Sequence, residues 1–173
     1  MKLSIEAIKQ KTGDGYDFEL EEDLGRVEFK GEDLVFVKPV KVSGRVENLG
    51  KGLFGVRGEI SATIEGRCYR CLSKTQLEVR LDYSFKFSEK PEKFEDEDEV
   101  FIIEEDTLDL TTPVINEIIL NLPSKILCSP DCRGLCPYCG ADLNLGDCGC
   151  GKVNIDPRLR ALEKLLKSDD HGE

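Results

Sequence analysis

Eight cysteines arranged as four tight pairs constrain this 173-residue chain more than any other feature. Two residues separate Cys68 from Cys71, three separate Cys128 from Cys132, two separate Cys136 from Cys139, and one separates Cys148 from Cys150. Two thiolates offered from one turn can bind one ion, so close pairing is what a metal site requires. In a short secreted chain the same cysteines would instead suggest four disulfides. Residues Met1 to Gln10 (MKLSIEAIKQ) are amphipathic and too short for the apolar core of a signal peptide. The expectation is therefore metal ligation in a cytoplasmic protein. No run of about eighteen apolar residues occurs, so no membrane span is expected either.

The stretch from Cys128 to Cys150 has little apolar content, so burial alone cannot fold it and a metal is needed. Its Cys136-Pro137-Tyr138-Cys139-Gly140 resembles the knuckle of zinc ribbons and rubredoxins. There the thiolates flank a tight turn whose amides point at the sulfurs, and the glycine tolerates a left-handed backbone. Cys148 and Cys150 begin nine residues further on and can complete a four-cysteine set. Cys68-Tyr69-Arg70-Cys71 falls between two expected strands, at a hairpin tip, so its partner pair must come from elsewhere; Cys128 and Cys132 are what remain. A second division, joining Cys68 and Cys71 to Cys136 and Cys139 and leaving the other two pairs together, satisfies the same spacings. The first division closes the smaller loop. Cys132, Cys136 and Cys139 also have the spacing that holds an iron–sulfur cluster with its adenosyl cofactor in radical enzymes. Those enzymes are barrels of repeated strand–helix units, and none follows this motif. Two closed zinc sites are the expected cofactors, and a closed site leaves no position for catalysis.

Nothing else in the chain suggests an enzyme or a small-molecule substrate. The one histidine, His171, lies in a charged tail, and Glu95 to Glu99 are contiguous, as in a solvated loop. There is no glycine-rich phosphate loop and no nucleophile motif.

Strict alternation from Gln76 to Ser88 puts Leu77, Val79, Leu81, Tyr83, Phe85 and Phe87 on one face of a half-buried strand. Phe54 to Glu65 and Val42 to Val46 alternate in the same way, with turn chemistry at Asn48-Leu49-Gly50-Lys51-Gly52 between them. An antiparallel meander is expected, with the segments MKLSIEAI and Val100 to Ile103 as added strands. Thr111-Thr112-Pro113 opens a helix carrying Val114, Ile115, Ile118, Ile119 and Leu122, and Asp156-Pro157 opens a second carrying Leu159, Leu162, Leu165 and Leu166. The fold class is thus α+β: an antiparallel sheet, open or barrel-like, followed by short helices and a cysteine-rich zinc knuckle. The expected domains are 1–106, with an acidic loop at 89–99, and 107–173.

Leu127 to Leu143 (LCSPDCRGLCPYCGADL), Asn144, the later CGCG and IDPRLRALEKLL together resemble the YceD-like family, the bacterial large ribosomal RNA subunit accumulation proteins. Cys68-Tyr69-Arg70-Cys71-Leu72, the acidic run before Val100 and Asn116-Glu117-Ile118-Ile119-Leu120 match the same family in the same order, so the likeness spans most of residues 34–168. The resemblance implies a role in synthesis, maturation or stability of large-subunit (23S) ribosomal RNA. It implies no chemical step.

The net charge of −11 is segregated: residues 34–88 carry +5 and 124–168 carry +2, whereas 1–33 carry −5 and 89–106 carry −8. Arg67, Arg70 and Lys74 surround the first cysteine pair, and Arg133, Lys152, Arg158 and Arg160 lie in or after the later cluster. These are the candidate contacts to RNA phosphates, with Tyr69 or Tyr138 able to stack on a base. The bland reading is that they offset the charge of four thiolates on an ion. The acidic run Glu95 to Glu99 with Glu104, Glu105 and Asp106 offers a different partner, a basic ribosomal protein, against a bland role as a solubilising loop.

Overall fold

A computed structural model describes residues 1–29, 32–90 and 100–150. Packing divides the chain into two units, Met1–Cys132 and a second that begins at Arg133. The first contains β1 (Lys2–Ser4), β2 (Gly15–Glu22), β3 (Arg26–Phe29), β4 (Glu32–Phe36), β5 (Val40–Gly50), β6 (Leu53–Arg67), β7 (Lys74–Ser88), β8 (Val100–Ile102), β9 (Thr107–Asp109) and α1 (Thr111–Leu120).

β5, β6 and β7 form the expected antiparallel meander, and β6 pairs with β7 along its whole length, from Leu53↔Ser88 to Arg67↔Lys74. The alternation of β7 is realised: Val79, Tyr83, Phe85 and Phe87 are buried, while Glu78, Arg80, Asp82 and Ser84 face solvent. Phe54 and Phe87 sit opposite each other on this ladder and are the largest fully buried side chains. Each such side chain contributes about 1.5–3 kcal/mol by leaving water.

The second edge of β6 is shared. β5 occupies it from Leu53 to Ser61, and β4 takes it at Ile64 and Glu65. The seven-stranded sheet therefore forks, with β2 beyond β5, β3 beyond β4 and β8 beyond β7. A barrel-like closure does not form: β2, β3 and β8 each pair with one strand, and no ladder joins them among the described residues. β8 is only three residues long, too short to carry a closing ladder, and it lies parallel to β7 rather than extending the antiparallel meander. Aromatic packing fixes it there, with the Phe101 ring 5.9 Å from Phe85 and 5.4 Å from Phe87.

Of the segment MKLSIEAI only Lys2–Ser4 is strand, and it pairs with β9 in a separate two-stranded sheet. Leu3, Ile5 and Ile8 enter the main core, as do Leu108 and Leu110 and, from α1, Val114 and Ile118. β9 and α1 thus belong to the same core as the strands before residue 106. Two residues before Thr111, Asp109 Oδ1 accepts the Thr111 N–H at 2.8 Å as the chain enters α1. The acidic run Glu95 to Glu99, the helix expected after Asp156, and Lys152, Arg158, Arg160 and His171 lie outside the described residues. No helix among the described residues is long and apolar enough to cross a membrane.

Candidate metal centres

The first thiol set grows out of the β6–β7 hairpin. Beyond the last ladder pair the chain reverses through a knuckle, in which the Cys68 N–H donates to Ser73 O at 2.8 Å and the Leu72 N–H to Cys68 O at 2.9 Å. The segment after α1 then returns to this tip. Gly66 leaves the room that Ile126 needs, for a Cβ there would stand 2.7 Å from Ile126 Cδ1. The Tyr69 N–H donates to Ile126 O at 2.8 Å. Arg70 donates from one guanidinium nitrogen to Pro130 O at 3.1 Å and Cys132 O at 2.8 Å, fastening the loop that carries Cys128 and Cys132.

That docking brings Cys68, Cys71, Cys128 and Cys132 together, with all four sulfurs within 4.8 Å of one another. Cys68 and Cys132 sulfurs are 3.7 Å apart, and those of Cys71 and Cys128 3.6 Å. Thiolates at about 2.3 Å from a tetrahedral ion stand about 3.8 Å from each other, so this set fits one ion. None of the eight cysteines is in a disulfide.

The second set lies wholly within the second unit. Its knuckle repeats the first: the Gly140 N–H donates to Cys136 O at 2.9 Å, and the Cys136 N–H donates to Ala141 O at 2.8 Å. Gly140 and Gly149 hold left-handed φ values of 73° and 71°, turning the chain beside Cys139 and between Cys148 and Cys150. Asn144 Oδ1 accepts the Arg133 N–H at 2.8 Å, which fixes the far side of the loop. Cys136, Cys139, Cys148 and Cys150 again place four sulfurs within 4.8 Å of one another and could hold a metal ion. Of the two divisions of cysteines that spacing allowed, this is the one that closes the smaller loop. Cys132 belongs to one set and Cys136 and Cys139 to the other, so the radical-enzyme spacing does not gather a single cluster.

The thiols within each set are unequal. Burial opposes ionisation of Cys68, but the backbone amides of Cys128, Cys71 and Arg70 outweigh it and bring the thiol down to about 6. The amides of Cys139 and Tyr138 bring Cys136 to about 6 as well. Cys128, hydrogen-bonded with Cys132, Cys71 and Cys68, is pushed up to about 12, and Cys150, hydrogen-bonded with Cys139 and Cys148, rises to about 12. Amides aimed at sulfur prepare each knuckle for the thiolate form that a metal takes.

The basic residues picked out by sequence divide by what they touch. Arg70 is committed to the two carbonyls, Lys74 pairs with Glu65 at 3.1 Å, and Arg133 pairs with Asp147 at 2.5 Å. Arg67 is exposed and has no ion pair among the described residues. Sequence reasoning missed Lys125, whose ammonium stands 4.8 Å from the centre of the Tyr69 ring, and Ile126, whose only signal was the small residue Gly66 before the first cysteine pair.

Two four-thiol sets, one of them stapling a loop to a forked antiparallel sheet, define a cysteine-stapled β protein. The chain belongs to the family described as large ribosomal RNA subunit accumulation protein YceD, whose model matches residues 56–166. It is similar to the uncharacterized protein YlbN of Bacillus subtilis, 33% identical over 180 residues, covering 99% of this chain and 100% of that one. An uncharacterized protein of Mycobacterium tuberculosis is 37% identical over 125 residues, and one of Mycobacterium leprae 30% identical over 145. These matches cover 70% and 80% of this chain but 59% and 66% of the mycobacterial proteins, which extend beyond it. No solved structure matches. The family description names an accumulation factor and no reaction.

Proposed function

We propose that this protein is a non-enzymatic, cytoplasmic ribosome-biogenesis factor that supports large-subunit ribosomal RNA by binding that RNA or its precursor, with one zinc ion in each thiol set. The observation that carries this reading is the closed character of both sets in a chain of this family. Four thiols exhaust the coordination of a tetrahedral ion, so neither set keeps a place for water or substrate. A separation of 3.6–3.7 Å between sulfurs suits a single ion. A multi-iron cluster would place several metals and sulfides between the thiolates. When bound, the ion cross-links; the chain's own groups make the contacts to RNA.

In the first unit, Lys125, over the exposed ring of Tyr69, and Arg67, exposed two residues before Tyr69 in sequence, are the cations best placed for phosphate. Lys74 and Arg133 already hold carboxylates, and Arg70 holds the loop, so these three support structure first. Lys152, Arg158 and Arg160 extend the basic set in sequence.

Crosslinking and sequencing of RNA bound in cells, with elemental analysis of the same preparation, tests the reading. Two zinc ions per chain and reads on precursor large-subunit RNA are expected. Iron with acid-labile sulfide would refute the metal assignment, and an absence of ribosomal reads would refute the RNA assignment. Recovery of a basic ribosomal protein that survives nuclease treatment would favour a protein-holding role instead.

A further inference from the structure

The two knuckles are one turn built twice, with a single telling difference. Both close with the same 2.9 Å bond from the fifth residue's amide to the first residue's carbonyl, and both hold the fifth residue at left-handed φ. In the second knuckle that residue is Gly140, at 73°, for which the conformation is free of steric strain. In the first it is Leu72, at 62°, where Cβ crowds the following carbonyl. Burial does not offset this strain, because Leu72 is 57% exposed. Backbone strain clusters at binding sites, which makes an exposed apolar residue held this way a candidate for contact with something outside the chain.

The surroundings of Leu72 point to what that is. Tyr69, three residues earlier on the same knuckle, is 63% exposed even though Lys125 stands over its ring. Its backbone is pinned to Ile126, and Arg70 beside it is fastened to Pro130 and Cys132, so the tip is rigid. Arg67 adds an exposed cation at the end of β6. An aromatic ring and an apolar side chain on a rigid tip, flanked by cations, match a nucleobase with its phosphates better than an apolar protein surface. Paired RNA hides its base faces within the stack, so only an unpaired base can use such a platform.

We infer that Tyr69 and Leu72 form a stacking platform for an unpaired base of RNA, with Lys125 and Arg67 set for the adjoining phosphates. The inference rests on the RNA-binding reading above and specifies the class of RNA and the residues that meet it.

Fluorescence anisotropy with the metal-loaded full chain tests it, using a short single-stranded RNA of mixed sequence and a fully paired RNA stem as probes. The single strand should bind more tightly than the stem. Tyr69→Ala should weaken single-strand binding about tenfold while Tyr69→Phe retains it. Leu72→Gly should weaken it about fivefold, yet leave the thermal midpoint unchanged or higher, because the strain is relieved. Binding by both Tyr69→Ala and Leu72→Gly equal to wild type would overturn the platform and leave the RNA reading standing. A lowered midpoint with unchanged RNA affinity in Leu72→Gly would make the leucine structural and also overturn it. Loss of a co-purifying protein from Leu72→Gly, with RNA affinity intact, would assign the tip to that protein and overturn the proposal. Wild type that binds neither probe would overturn the platform and the RNA reading together.

Discussion

Replacing Cys128 by serine removes one thiol from the first set without opening a core cavity, because Cys128 is exposed. The set joins Cys71 to Cys128 across 57 residues and Cys68 to Cys132 across 64. With the ion acting as a cross-link, closing a loop of that length is worth about 4 kcal/mol of lost freedom in the unfolded chain. Across the nine residues from Cys139 to Cys148 the same relation gives about 2.6 kcal/mol, and that effect falls on the second unit. Urea unfolding followed by far-ultraviolet circular dichroism separates the two, since all named strands lie in the first unit. Cys128→Ser and chelator-treated wild type should each lose about 4 kcal/mol from the strand transition, which in a thermal melt of the first unit is about 14 °C. Chelator should have no further effect on Cys128→Ser, and Cys150→Ser should leave the strand transition in place. A loss below about 1 kcal/mol in Cys128→Ser, or equal losses in the two variants, would refute the first set as a long-range staple.

Gly58→Ala would place a methyl 1.9 Å from Ser43 O, so β5 and β6 must part; a loss of about 3 kcal/mol is expected by thermal melting. An unchanged midpoint would mean the strands separate there at no cost. Arg70→Gln should release the carbonyls of Pro130 and Cys132 and destabilise the first unit by about 1–2 kcal/mol, with faster metal loss to chelator, whereas Arg67→Gln should do neither. Equal behaviour of the two would contradict the fastening role. In the metal-free, reduced protein, Cys68 and Cys136 at about 6 lie below the ordinary 9.0, so their stabilisation is complete above pH 9 and lost as pH falls through 6. Cys128 and Cys150 at about 12 contribute fully below pH 9 and lose it as pH rises through 12, so the urea midpoint should peak near pH 9. A midpoint highest at pH 6 would show that the thiols do not couple to folding in this way.

The strands that alternate strictly were legible because a period of two survives whatever the strand pairs with. β7 shows this residue by residue, and the order β5–β6–β7 follows from the short connections between them. β2 has the same signal in Tyr16, Phe18 and Leu20, but its four acidic residues, Asp17, Glu19, Glu21 and Glu22, make the stretch read first as charge. The fork at β6, the parallel docking of β8 and the pairing of β1 with β9 depend on partners far along the chain, for which periodicity carries no information. The two thiol sets were legible to the extent that cysteine spacing is local chemistry. The work of Arg70 was not, since the carbonyls it holds lie 60 and 62 residues away and any residue could have supplied them.

The position of the first knuckle between β6 and β7 also sets an order of events on the ribosome that makes the chain. The β5–β7 meander is built from neighbours in sequence and can form early, presenting Cys68 and Cys71 at its tip. Their partner Cys128 is 57 residues from Cys71, which at about 5–20 residues per second is about 3–11 s of synthesis later. For that interval the nascent tip offers two thiols alone, open to oxidants and short of the four that would surround an ion, and the set is complete only when the loop after α1 arrives.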